Sequence, residues 1–92
     1  MVTAIVLIEC TRGAIKTVAE RLAAIDGVAE VYSVAGRYDL VAIVRVSDTD
    51  AMADLVTSGL LAIDGIARTE TLTAFRAYSK HDLEAMFSVS WE

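Results

Sequence analysis

An internal repeat constrains this chain more than any other feature. Laid on itself 38 positions along, Ala4-Ile5-Val6 meets Ala42-Ile43-Val44, and Ala24-Ile25-Asp26-Gly27 meets Ala62-Ile63-Asp64-Gly65. Thr11, Val18, Leu22 and Ala29 meet Thr49, Val56, Leu60 and Ala67. Spaced identities of this kind are hard to ascribe to composition alone, and they mark two copies of one supersecondary unit.

Each unit opens on a run rich in β-branched residues, Val2 to Ile8 and Leu40 to Val46, which reads as a strand. A helical pattern follows. Ile15, Val18, Ala19, Leu22 and Ile25 fall at three- and four-residue spacings in the first unit, as do Met52, Leu55, Val56, Leu60 and Ile63 in the second. Thr11, and Thr49 or Asp50, are the expected N-caps, and Gly27 and Gly65 the expected helix stops. A second strand closes each unit, Val28 to Ala35 and Ile66 to Tyr78. The order β-α-β, β-α-β predicts an α+β chain of the ferredoxin-like kind: one four-stranded antiparallel sheet with both helices on one face.

That architecture leaves the other face of the sheet to be accounted for. In the first strand Val2, Ala4, Val6 and Ile8 point one way, while Ile5 and Leu7 point the other; in the third, Leu40, Ala42, Val44 and Val46 oppose Val41 and Ile43. Strands apolar on both faces call for a second cover, most simply the same sheet of an identical chain related by a two-fold axis. A sheet-to-sheet homodimer is therefore expected. The chain divides into residues 1–78 as the folded domain and a tail over 79–92, where Ser79 with Asp82 resembles a capping box and Leu83, Met86 and Phe87 fall at helical spacing. A short C-terminal helix is expected there, with Trp91 docked on its own chain or a neighbour.

Composition then narrows the function. The 92 residues make one domain able to bury about two thirds of its unfolded surface without metal or disulfide. The single Cys10 and single His81 make a poor start for a metal site, and no cofactor motif is present. The net charge is −5 and the eight Lys and Arg residues are scattered, so no basic stripe for nucleic acid is visible. The longest apolar run, Ala4 to Ile8, is too short to span a bilayer, and a cytoplasmic protein is expected. Asp26 and Asp64 each precede the glycine after a helix and read as turn residues, Arg68 and Glu70 share a strand face as an ordinary surface ion pair, and Cys10 reads as a half-buried structural thiol. Nothing here asks for a catalytic residue.

Two features remain. Val34-Ala35-Gly36-Arg37-Tyr38-Asp39 joins two apolar strands as a hairpin connection in which Gly36 tolerates positive φ and Asp39 can bond its own backbone, yet hairpin chemistry explains Tyr38 less well. Thr69, Thr71 and Thr73 share one face of the last strand, a ladder that β-propensity and a site role explain equally well.

The Val-x-Gly-x-Tyr-Asp turn, the following apolar strand, the Asp48 to Asp50 helix start, Asp64-Gly65-Ile66, and Thr-x-Thr at Thr69 and Thr71 are together similar to the effector-binding domain of the Lrp/AsnC transcriptional regulators. This is also called the domain for regulation of amino acid metabolism, or RAM domain. The resemblance runs from residue 1 to about residue 78. It implies the ferredoxin-like fold, sheet-to-sheet dimers that assemble into tetramers, octamers or comparable rings, and a small effector, usually an amino acid, bound between dimers. Carried over residue by residue, it implies that Gly36, Tyr38 and Asp39 line the pocket, with Thr69 and Thr71 as hydroxyl contacts; Arg37 falls at a variable position and faces either effector or solvent. Typical members also carry an N-terminal helix-turn-helix domain, whereas here the sequence opens on the first strand of the effector domain. The implied protein is a stand-alone sensor, not an enzyme, that does not bind DNA itself and acts through a full-length regulator or another partner. The alternative is a small dimeric α+β-barrel enzyme of the cofactor-free monooxygenase or isomerase type, for which only Tyr32, Tyr38, Tyr78 and Asp39 are available; a third reading is a purely structural oligomerisation module.

Overall fold

In the computed structural model, which describes residues 1–78 and residue 80, the elements run β1 (Val2–Cys10), α1 (Ile15–Ala23), β2 (Val28–Ser33), β3 (Leu40–Val46), α2 (Thr49–Asp54) with a π-helical continuation (Leu55–Leu60), and β4 (Ile66–Ala74). The four strands form one antiparallel sheet in the order β2-β3-β1-β4. This is the ferredoxin-like β-α-β, β-α-β arrangement expected from the repeat. The expected tail helix, with His81 and Trp91, lies outside the described residues.

The core lies between the helices and one face of the sheet. Ala4, Val6 and Ile8 of β1 and Leu40, Ala42 and Val44 of β3 are fully buried there under Val18 and Leu22 of α1 and Met52, Leu55 and Leu60 of the second helix. The repeat has a packing consequence at its two glycines. A Cβ on Gly27 (φ +98°) would meet Leu55 Cδ1 at 2.7 Å, and one on Gly65 (φ +101°) would meet Ala14 Cβ at 2.8 Å and Val18 Cγ2 at 2.9 Å. Each unit's glycine thus lets the other unit's helix approach its backbone.

Several boundaries differ from expectation for local reasons. Thr11 does not cap α1: Gly13, at φ +80°, turns the chain first, and the helix starts after Ala14 with no side-chain cap. The second helix is capped by Asp48, whose carboxylate accepts from the Ala51 N–H at 2.8 Å, rather than by Thr49 or Asp50. The helices end at Ala23 and Leu60, a turn or more before their glycines, so Gly27 and Gly65 sit in the turns that lead into β2 and β4. β1 runs two residues past Ile8 because Glu9 and Cys10 still pair with Arg68 and Ile66 across a bulge. β2 stops at Ser33 and β4 at Ala74, both earlier than the apolar pattern predicts. In the second helix Met52 and Leu60 are eight apart, about 80° out of phase in an α-helix. The wider π turn brings Leu60 back to the core side and leaves it 1% exposed.

Candidate functional site

The face of the sheet away from the helices consists of four cross-strand rows. Arg45, Thr3 and Ala74 form the first; Glu30, Ile43, Ile5 and Leu72 the second; Tyr32, Val41, Leu7 and Glu70 the third; Glu9 and Arg68 close the far end. Ile5, Leu7, Val41 and Ile43 make an apolar centre that no other part of the described chain covers, flanked by Tyr32 at 49% exposure and Leu72 at 44%. Charged groups frame it. Arg45 pairs loosely with Glu30 at 3.7 Å, the Tyr32 hydroxyl donates to Glu30, and Arg68 pairs with Glu9 at 3.2 Å.

The Val34–Asp39 connection stands at the Glu9 end and is held at three points. The Val34 N–H donates to the Asp39 carbonyl at 3.0 Å, the Asp39 N–H donates to the Ile8 carbonyl at 2.9 Å, and the Asp39 carboxylate accepts from the Cys10 N–H at 2.8 Å. The Asp39 side chain therefore does not close its own turn, as the local sequence suggests, but fastens the β2–β3 connection to the end of β1. Gly36 adopts φ +129° with open space where a Cβ would stand, so its glycine requirement is one of backbone conformation. Arg37 is exposed beside it.

Tyr38 has a role that hairpin chemistry does not supply. Its hydroxyl donates to Glu70 Oε2 at 2.6 Å, and the Arg68 guanidinium lies 5.7 Å from its ring centroid, within cation–π range. The bond to Glu70 raises the Tyr38 pKa above its ordinary value, with burial and the Glu70 charge adding to it and Arg68 and Arg37 opposing. Arg68 and Glu70 do share a face, but each bonds across the sheet, Arg68 to Glu9 and Glu70 to Tyr38, rather than with the other. Glu70, Arg68 and Glu9 are the members of this cluster that sequence reasoning missed; only strand register brings them to the turn.

The expected site residues are not all on one side. Thr69, Thr71 and Thr73 stand opposite Ile8, Val6 and Ala4, which places them on the helix side of β4, away from Tyr38 and Glu70. Leu40, Ile8 and Thr69 share a row, so Thr69 lies two strand spacings, about 10 Å, from the base of the turn. Cys10 is half-buried, and burial followed by the Asp39 charge pushes its thiol pKa up, the opposite of an activated nucleophile. Among the described residues no group of three or more His, Cys, Asp or Glu could hold a metal ion, and no helix is long and apolar enough to cross a membrane.

Comparison with known proteins places the chain among domains of the same fold. Residues 3–83 match the Lrp/AsnC ligand binding domain. An uncharacterized helix-turn-helix-type transcriptional regulator of Pyrococcus horikoshii is 40% identical over 60 residues, which is 65% of this chain and 40% of the relative. The chain thus matches about two fifths of the length of that regulator. A crystal structure of a Thermus thermophilus protein is 50% identical with a TM-score of 0.82, over 87% of this chain and 100% of that one. A transcriptional regulator of Neisseria meningitidis in complex with L-Met shares the fold, with a TM-score of 0.77 at 15% identity, over 85% of this chain and 52% of that one.

Proposed function

The chain belongs to the Lrp/AsnC ligand-binding domain family, and from that premise we propose that it is a ligand-sensing and oligomerisation domain whose small effector is an amino acid. Two copies pack open face to open face, and the dimers assemble further. The effector sits at the Gly36–Asp39 turn between dimers, and its presence reaches transcription through a partner regulator rather than through DNA contact by this chain. The observation that carries the reading is the cluster at that turn: a glycine-opened connection fastened to β1 through Asp39 and to β4 through Tyr38 and Glu70, beside an apolar face that the described residues leave uncovered. The L-Met complex of the Neisseria relative supports an amino acid as the ligand class.

In this reading the turn amides and the exposed Arg37 meet the α-carboxylate, while Tyr38 and Glu70 line the wall. Because Asp39 already bonds Cys10, its first contribution is to hold the turn in place, and its remaining acceptor capacity is offered to the α-amino group. Thr69 and Thr71, on the other side of β4, meet an effector presented from a neighbouring dimer. A ligand that bridges dimers must favour the assembly, because it binds that state better than the free dimer.

A thermal-shift panel of amino acids on the purified chain tests this reading. At least one should raise the melting temperature in a saturable way, and Arg37→Ala should weaken that response while leaving the unliganded melting temperature unchanged. A flat panel would oppose an amino-acid effector and favour a structural oligomerisation module.

A further inference from the structure

At the end of the open face furthest from the Tyr38 turn, the first row has an uneven profile. Arg45 stands on one side of Thr3 and Ala74 on the other, so a long cationic side chain borders two short ones. Beyond β4 the exposed Phe75, Arg76 and Ala77 line, together with that row, an open notch of about 240 Å³. Two arginines and a threonine thus line one small concavity in a chain whose net charge is −5.

We infer that this notch is a second ligand site, for a small oxyanion carrying a carboxylate or phosphate group. The volume is below the usual range for drug-sized ligands, about 300–1,000 Å³, and suits an inorganic anion or a short organic acid. Guanidinium groups match planar carboxylates and phosphate oxygens in paired hydrogen bonds, and a threonine hydroxyl can add a donor. Arg45 is only loosely committed: its contact with Glu30 is 3.7 Å long and both side chains are nearly half exposed. The notch is also separate from the turn. Thr3 and Glu9 are six residues apart on β1, about 20 Å along a strand. An anion here would stand at the rim of the sheet, beyond the apolar rows.

The test is an NMR titration of the intact chain with sodium phosphate and with sodium acetate, at constant ionic strength against sodium chloride. The site predicts saturable shifts at the Thr3, Ala74 and Ala77 amides with the Gly36 amide unmoved. Arg45→Gln and Arg76→Gln should each weaken binding about tenfold or more, the loss of one charge-assisted contact. Glu30→Gln should tighten it several-fold by releasing Arg45, a gain that a merely structural role for the pair does not produce. Tighter binding of phosphate than of acetate would identify a phosphate-bearing ligand, and the reverse a carboxylate. Shifts that never saturate, or that persist unchanged in the arginine variants, would overturn the proposal. So would shifts that follow protein concentration rather than anion, because a second copy would then fill the notch. If Arg45→Gln disturbs β3, Arg76→Gln decides alone, since it lies outside the sheet.

Discussion

Asp39 shows how one residue can be recognised for the wrong reason. Its place after Gly36 and Tyr38 suggests a side chain that closes its own turn, yet it accepts from the Cys10 amide 29 residues away. The charged acceptor on a partly buried donor is worth about 1.5–3 kcal/mol. Asp39→Ala should therefore lower unfolding stability by about that amount in a denaturant titration, whereas Arg37→Ala should change it by no more than about 0.5 kcal/mol. Tyr38 carries the pH-dependent prediction. Glu70 holds its proton more tightly in the folded chain than in the unfolded one, so the stabilisation is present below the ordinary tyrosine pKa and is lost as pH rises through the higher folded value. Ultraviolet titration should show Tyr38 ionising late, and Glu70→Gln should bring it earlier; an unchanged midpoint would mean that the bond does not form. Both residues were visible in the sequence. Their partners were not, because Cys10 and Glu70 reach the turn only through register.

At the scale of elements, the repeat made the strand and helix order legible, while the boundaries followed local chemistry that the repeat does not share. Gly13 ends the equivalence with the second unit: it turns the chain before α1, whereas its counterpart Ala51 already lies inside α2. The two glycines that do correspond give a graded prediction. Gly27→Ala and Gly65→Ala face both a positive φ and a contact under 3.0 Å, so each should cost more than the roughly 1 kcal/mol of an incompatible backbone alone. Gly13→Ala, with open space around it, should cost only the backbone part. Calorimetric or denaturant midpoints of the three variants would show the ordering; equal losses would contradict the interlocking of the units. Leu60→Ala, at the residue the π turn returns to the core, should cost about 2–5 kcal/mol. That turn was not legible, since Val56 and Leu60 keep an ordinary four-residue spacing and only the phase from Met52 exposes the extra residue.

For the whole molecule, the two-sided apolar pattern of β1 and β3 is the feature with the widest consequence. It told of a face needing cover, and Ile5, Leu7, Val41 and Ile43 do form an apolar centre with no cover from the described chain. The frame of Arg45, Glu30, Arg68, Glu9 and Glu70 around that centre was not legible, because pairing across strands, not order along the chain, brings those charges together. A charge placed in the centre should be tolerated by the isolated fold, whose core lies on the other face, and should prevent pairing of copies. Sedimentation velocity of the pure chain and of Leu7→Lys, each with and without millimolar amino acids, therefore shows whether copies pair through this face and whether an effector drives them further. A wild-type dimer or dimer multiple that grows with one amino acid is expected, beside a folded Leu7→Lys monomer that does not respond. A wild-type monomer, or an assembly unaffected by both Leu7→Lys and every amino acid, would contradict this expectation.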